Sequence, residues 1–208
     1  WEGPFTFNTE CTGPLAAGTY SVGATGDFAT LDSVLSTLNV CGISGAVTFE
    51  LQSGSFYAST PVGAINGSSA TNTVTFKGSA TTNDTINGGI VLEGASYVNL
   101  EDLYIRTTSG HTIRLNGTDH INITGNVIEA PQTNSSQSNP IVASSSSTSY
   151  SSFAGGEGFI TISNNTITGG YFSMTFYGNS GTPGAHHDIV FSNNDISGSY
   201  YFGLYFYY

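Results

Sequence analysis

Residues 159–167 read F-I-T-I-S-N-N-T-I, and the eight residues that start at Ile160 recur on both sides of this stretch. Residues 189–196 read I-V-F-S-N-N-D-I, residues 121–128 read I-N-I-T-G-N-V-I, and residues 98–105 read V-N-L-E-D-L-Y-I. The first half of the phrase stands further upstream as V-T-F-E at 47–50 and V-T-F-K at 74–77, so the chain is built of repeats. Positions one and three are apolar and position two is mostly Thr or Asn. Each copy therefore reads as a strand with one buried and one wet face, running into a turn.

The copies begin at Val47, Val74, Val98, Ile121, Ile160 and Ile189, in steps of 27, 24, 23, 39 and 29 residues. A step of 23 to 29 is too short for a strand, a crossover helix and two loops, and suits one coil of a strand solenoid. A second alternating piece follows 14 to 16 residues after the start of its copy, at Ile90/Leu92, Ile113/Leu115, Met174/Phe176 and Leu204/Phe206. Each coil thus has at least two strands. The sixth position of the phrase is Asn126, Asn165 and Asn194 in three successive copies. Stacked about 4.8 Å apart, these amides would form an asparagine ladder, a stronger reading than turn preference alone.

The phrase I-x-I-x-x-N-x-I resembles the right-handed parallel β-helix family, the pectin-lyase-like superfamily, over about residues 46–208. The resemblance implies an all-β fold: a right-handed parallel β-helix (solenoid) of about six coils with an N-terminal amphipathic capping helix. Lyases, hydrolases, esterases, phage tailspikes and surface adhesins share that fold, so it implies no one function.

Residues 1–45 form the N-terminal unit, and 46–208 the β-helix. Residues 1–18, with Pro4, Pro14 and scattered aromatics, read as an extended arm, and 19–23 as a short strand. Phe28, Leu31, Val34/Leu35 and Leu38 recur at helical spacing, which predicts a helix over 28–39 with Asp27 as N-cap. Such a helix would cover the open top of the solenoid. The run S-V-G-A-T-G-D-F-A-T-L-D-S-V-L from Ser21 is similar to the opening of pectin methylesterases and of many secreted, non-catalytic β-helix surface proteins. In the latter a G-x-S-G-x-V-T-F piece follows, as G-I-S-G-A-V-T-F does at 42–49. The long step holds a Ser/Asn/Gln-rich insertion near 130–158, expected to leave the coil as a mobile loop, with Ile141-Val142 available for that coil's second strand.

The 208 residues fit one domain. Only 8% are charged and the net charge is −11, with Lys77, Arg106 and Arg114 the only Lys or Arg. That balance argues against nucleic acid and against anionic membranes as partners. No apolar run reaches the roughly 20 residues of a membrane span, and a secreted chain with its signal peptide already removed is expected. Sequons at Asn66, Asn83, Asn116, Asn122, Asn134 and Asn164 point to glycosylation outside the cell. The triplets Asp32-Ser33-Val34 and Asp84-Thr85-Ile86 point the same way, being similar to an O-glycosylation signal of bacteria with type IX secretion, at Ser33 and Thr85. Cys11 and Cys41 would pair in an oxidising compartment and otherwise be two buried thiols.

The densest chemistry is Glu101, Asp102, Arg106, Arg114, Asp119 and His120, the candidates for a polysaccharide lyase or hydrolase. Registering the copies instead places Lys77 between Glu50 and Glu101, Arg106 over Glu129, and Arg114 diagonal to Glu93. These are expected as cross-strand charge pairs. The Gln, Asp and Arg settings of pectin methylesterases are absent, so no catalytic residue carries over, and neither a metal nor a cofactor is expected. The end of the chain, Y-Y-F-G-L-Y-F-Y-Y at 200–208, aligns with 171–177 and puts Leu204 and Phe206 inward, with Tyr205 and Tyr207 outward. A bare aromatic edge of this kind needs a cover. The expected function is therefore an extracellular structural or adhesive protein that polymerises head to tail. Trp1, Phe5 and Phe7 of the arm would meet Tyr201, Phe202, Leu204, Tyr205, Phe206, Tyr207 and Tyr208 of a second copy. A carbohydrate-active or carbohydrate-binding β-helix, with cell-surface or environmental glycans as partners, is the alternative.

Overall fold

The computed structural model describes residues 11–79, 84–178 and 185–207. Trp1, Phe5, Phe7, Asn83 and Tyr208 lie outside them. The chain begins with β1 (Gly18–Val22) and α1 (Leu31–Cys41), then β2 (Val47–Leu51) and β3 (Gly54–Tyr57). Five further rounds follow: β4 (Val74–Lys77), β5 (Asp84–Asn87) and β6 (Ile90–Glu93); β7 (Ser96–Glu101), β8 (Tyr104–Arg106) and β9 (Ile113–Asn116); β10 (Asp119–Thr124), β11 (Val127–Ala130) and β12 (Ile141–Ala143); β13 (Gly158–Ser163), β14 (Thr166–Gly169) and β15 (Phe172–Tyr177); β16 (His187–Ser192), β17 (Asp195–Ser197) and β18 (Phe202–Tyr207).

Each of these five rounds contributes one strand to each of three parallel sheets, ordered β1-β2-β4-β7-β10-β13-β16, β3-β5-β8-β11-β14-β17 and β6-β9-β12-β15-β18, the first two of which also take strands from the start of the chain. A chain that returns to every sheet at every third strand is consistent with a β-solenoid. All six phrase starts are register partners, Val47 to Val74, Val98, Ile121, Ile160 and Ile189. The phrase's final Ile belongs to the second sheet, where Phe56, Ile86, Ile105, Ile128, Ile167 and Ile196 form one column. The third sheet adds Ile90, Ile113, Ile141, Met174 and Leu204. The three columns converge on a core that is almost fully buried down to the round of β13 to β15.

The corner between the first two sheets explains the phrase. Its fifth position turns left-handed, at Asp102 (φ 52°), Gly125 (φ 70°), Asn164 (φ 57°) and Asn193 (φ 54°), residue types that enter that region at low cost. Its sixth position then points inward. Asn126 Nδ2 donates to Asn165 Oδ1 (3.0 Å), and Asn165 Nδ2 to Asn194 Oδ1 (2.9 Å). The same oxygens accept the backbone N–H of Asn126 and Asn165, while the amides also donate to the Leu100, Ile123 and Ile162 carbonyls. In the round above, Leu103 holds the ladder position, and its N–H donates to Asn126 Oδ1 (2.9 Å).

Helix α1 starts later than the apolar spacing suggests. Thr30, and not Asp27, is the N-cap: its side chain accepts from Ser33 N, and Ser33 Oγ reaches back to the Thr30 N–H in a capping box. Asp27 instead accepts from Ser21 N and Oγ (both 2.7 Å), and Phe28 packs on Tyr20 and Phe49. Leu31, Val34, Leu35 and Leu38 are fully buried in the same core as β1 and β2. A disulfide joins Cys11 to Cys41 across 30 residues, worth about 3 to 4 kcal/mol by loop closure. Chains that carry disulfides belong to oxidising environments. Among the described residues no helix is long and apolar enough to cross a membrane.

The insertion is folded onto the body. Asn139, Pro140, Val142 and Ser144 are buried, Glu157 is buried, and β12 completes its sheet between β9 and β15. A mobile loop would leave Glu157 solvated; here it accepts from Gly117 N (2.8 Å), Thr118 N (2.6 Å) and Thr118 Oγ1.

Candidate functional site

The six charged candidates do not meet. Glu101 ends β7 on the first sheet and Asp102 occupies the next corner; Arg106 lies on β8 of the second sheet and Arg114 on β9 of the third; Asp119 and His120 open β10. Both arginines lie on other faces than the carboxylates, and Asp119, in register with Ser96, stands at the opposite end of the first sheet from Glu101 and Asp102, so the six do not surround one scissile bond as paired carboxylates must. The expected cross-strand charge pairs also fail to close. Lys77 does sit in register between Glu50 and Glu101, and Arg106 with Glu129. Yet among the described residues the only contacts of ion-pair length are His120 with Asp119 and His187 with Asp188. Arg106 Nε donates to Asn87 Oδ1 (2.8 Å) and Arg114 Nη1 to the Ser144 carbonyl (3.1 Å). Glu129 accepts from the Tyr104 hydroxyl (2.5 Å); burial first, and then this carboxylate, hold that phenol above its ordinary range. A long side chain on a sheet corner has neutral acceptors nearby, and an exposed ion pair gains too little to compete with them.

Some modification sites also change meaning. Thr85 is buried inside β5, and the half-buried Ser33 uses its hydroxyl in the helix cap, where it donates to the Thr30 carbonyl. Asn116 is half-buried and donates to Glu93 Oε1, whereas Asn66, Asn122, Asn134 and Asn164 are exposed. Among the described residues no group of three or more His, Cys, Asp or Glu could hold a metal ion.

What the structure does bring together is apolar. At the lower end of the column, in the last round, Phe202, Leu204 and Phe206 are 47%, 45% and 49% exposed. Leu204 and Phe206 lie in register with the buried Met174 and Phe176, so they are core positions without a layer beneath. Phe176, Phe191, Phe206 and Ile189 line a recess of about 390 Å³ there, rimmed by His186, His187 and Asp188. Among the described residues, strands β16, β17 and β18 are the outermost of their sheets, each with one edge that no described strand pairs. Around them runs a tyrosine surface: Tyr171 on Tyr200 and Tyr201, Tyr177 on Tyr207 (4.9 Å), and Phe172 on Tyr205 (4.5 Å). Tyr177 over Tyr207 follows from the sequence register.

A second grouping has no signature in the sequence. The residue just before the phrase is left-handed in four successive rounds, at Tyr97 (φ 60°), His120 (φ 54°), Phe159 (φ 51°) and Asp188 (φ 51°). Bulky residues adopt that conformation at roughly 1–2 kcal/mol each. The first three rings stack at 4.5 and 4.6 Å beside the outward amides Asn99 and Asn122, which are themselves joined (2.9 Å). Together with Ala70 and Thr73 they line a recess of about 240 Å³. Asp119 Oδ2 lies 3.0 Å from His120 Nδ1, though without the direction of a hydrogen bond.

Three titratable groups, the buried Glu157 and the half-buried His111 and His186, fasten the insertion. Burial pushes the Glu157 carboxyl up. His111 is held down to about 4 by burial and by nearby Arg114, and His186 is also lowered, chiefly by burial. A Ser-rich stretch gave no hint of this; the one signal was a lone carboxylate, Glu157, among glycines at 155, 156 and 158. Comparison with known protein families, curated proteins and solved structures gave no match to this chain.

Proposed function

We propose that this chain is a right-handed parallel β-helix of the pectin-lyase-like type that works outside the cell as a structural or adhesive element, assembling head to tail. The observation that carries the reading is the lower end, where core positions Leu204 and Phe206 are about half exposed beside three strand edges that no described strand pairs. Exposed parallel edges with apolar side chains on their inner face are templates for another chain. The occupant is a second copy, whose residues 1–10, W-E-G-P-F-T-F-N-T-E, carry three aromatics to fill the recess and backbone to extend a sheet. Because the two contact surfaces differ, such a contact propagates as a filament without closing. The scatter of the charged residues over three faces and the disulfide support a non-enzymatic, extracellular role.

Electron microscopy and sedimentation of the purified chain test the reading. Filaments or concentration-dependent oligomers are expected, lost on deleting residues 1–10 and on Phe206→Asp. Stably monodisperse single copies at high concentration would sink it, and unchanged filaments after the deletion would remove the arm's part.

A second reading, a glycan-binding surface, is favoured by the Tyr97–His120–Phe159 column beside Asn99 and Asn122. The rings cover one another's faces, which leaves ring edges, the outer face of Tyr97 and the amides to meet a sugar. Retention on immobilised neutral or acidic polysaccharides, lost on Tyr97→Ala, would favour it over assembly; no retention on any of them would dismiss it.

A further inference from the structure

The insertion enters β12 through residues 131–140 and leaves it through residues 144–157, and this second segment forms a strap across the outer face of the third sheet. The Tyr150 ring stands edge-on to Phe172 (5.1 Å), Tyr205 (5.9 Å) and Tyr177 (6.2 Å). Val142 and Thr175 are in register with each other and with Arg114 and Tyr205, one place along from the inward Ile141 and Met174 and therefore outward, yet both are 0% exposed. What covers them is this strap.

The insertion is held on each side of β12, ahead of it at Asn139 and at the far end of the strap at Glu157, by imidazole nitrogens of defined protonation. At the first end, Asn139 Nδ2 lies 3.2 Å from His111 Nδ1. The amide's orientation is fixed by its other bonds, since Oδ1 accepts from Phe172 N (3.0 Å) and Nδ2 also donates to Ser136 O (2.9 Å). His111 Nδ1 must then be an acceptor and carry no proton. At the second end, the backbone N–H of Glu157 donates to His186 Nδ1 (3.0 Å), which a backbone amide can do only to an unprotonated nitrogen. In both rings the proton therefore sits on Nε2, and both Nε2 atoms are buried without a well-directed partner among the described residues. Protonation of either ring would set donor against donor at the clasp and place a cation in a largely desolvated site.

We propose that His111 and His186 are the two clasps of an acid-released strap: protonated, they let go of Asn139 and Glu157 and uncover the outer face of the third sheet.

The surrounding charges agree on direction at both clasps. His111 faces Arg114 on β9, a cation that opposes a second one. His186 packs on Phe153 of the strap and Phe176 of β15, with His187 opposing its protonation and the Tyr177 carbonyl favouring it. Asp188 shares the rim of the adjoining recess, bonded to His187. The Glu157 carboxylate is turned to Gly117 and Thr118 and works in the opposite sense: raised by burial, it is eased by protonation and so favours the closed strap in acid. For the histidines the folded value lies below the unfolded one. Their contribution is complete above about 6.5 and is lost as pH falls toward about 4 for His111. If opening restores an ordinary imidazole, His111 alone raises the open population tens of fold at pH 4.5, because a ring that titrates near 6.5 binds its proton roughly a few hundredfold more tightly than one that titrates at about 4.

The test is amide hydrogen exchange of the intact protein at pH 7.5 and 4.5, corrected for intrinsic rates. Amides beside the His111 clasp, such as Ser138, should lose protection tens of fold in acid, and Ser145 and Glu157 on the His186 side should lose it too, while core amides such as Ile123 hold theirs. His111→Asn with His186→Asn keeps a neutral oxygen acceptor near each Nδ1 position and should abolish the acid effect. An acid effect that persists in this double variant assigns the response to another group and overturns the proposal, as does strap protection equal at the two pH values. Should the double variant fail to fold, histidine NMR titration of the unaltered chain decides: both rings should protonate only together with loss of strap protection. Titration near 6.5 with the strap still closed would overturn it.

Discussion

Replacing Asn165 by Ala should cost about 4 kcal/mol of stability, far more than a surface amide is worth. Its side chain is 1% exposed, accepts from the N–H and Nδ2 of Asn126, and donates to Ile123 O and Asn194 Oδ1. Truncation leaves the Asn126 N–H buried and unpaired, at roughly 1–3 kcal/mol, and removes the bonds to the Ile123 carbonyl and along the amide column, at about 1 kcal/mol each. The other two partners retain bonds, Asn126 Nδ2 to Leu100 O and Asn194 Oδ1 to Asn165 N. Asn194→Ala, at the half-buried lower end of the column, should cost only about 1 kcal/mol, because water can replace what it bonds. Urea unfolding of the two variants measures the difference. Equal losses would show that the column does not derive its strength from burial.

The second large effect is expected at Gly169, the end of β14. Its φ is +87°, and a Cβ there would lie 1.9 Å from the Ala130 carbonyl oxygen of the round above, its register partner. Gly169→Ala should lose at least about 3 kcal/mol: about 1 from the left-handed conformation, and the remainder from pushing two bonded parallel strands apart. Gly88 provides the control, with φ +85° and nothing within 4 Å of a Cβ, so that Gly88→Ala should cost about 1 kcal/mol. The gap between the two thermal midpoints isolates the clash from the backbone strain. If Gly169→Ala is no worse than Gly88→Ala, the strands slide past each other more easily than a rigid column allows.

Both effects bear on why the open end matters. A rung of this column is stable because it has a neighbour above and below, as the buried Met174 and Phe176 show against the half-exposed Leu204 and Phe206 in register with them. Assembly through that end would give the last rung what every other rung already has, and no side chain need move far to allow it.

Much of the column was legible from residues alone, because its rules are local and repeated. Apolar alternation at Val98, Leu100, Ile121, Ile123, Ile160 and Ile162 dictates one buried face. The repeat length dictates parallel stacking, and Asn at position six dictates a ladder; in each case a short-range preference and its copy in the next round agree. The helix was visible from its apolar stripe, but its start was not, since Asp27 and Thr30 are both good caps and only Ser21, next to the Asp27 carboxylate in space, settles which one serves.

The strands, their register and the amide column follow from the order of residues, since they depend on neighbours along the chain and on a repeated step. What the outer surface does was decided only when the coils stacked. Stacking separated Glu101, Arg106 and Arg114 onto three faces, lined up Tyr97, His120 and Phe159 through a backbone strain that no composition betrays, and turned a Ser-rich insertion into a clasped strap by burying Glu157 against Gly117 and Thr118. The physical reason is range: a strand is dictated by residues two apart, while the partner of a side chain on a corner of the column is chosen by residues roughly 20 to 40 positions away, whose distance in space the sequence does not state.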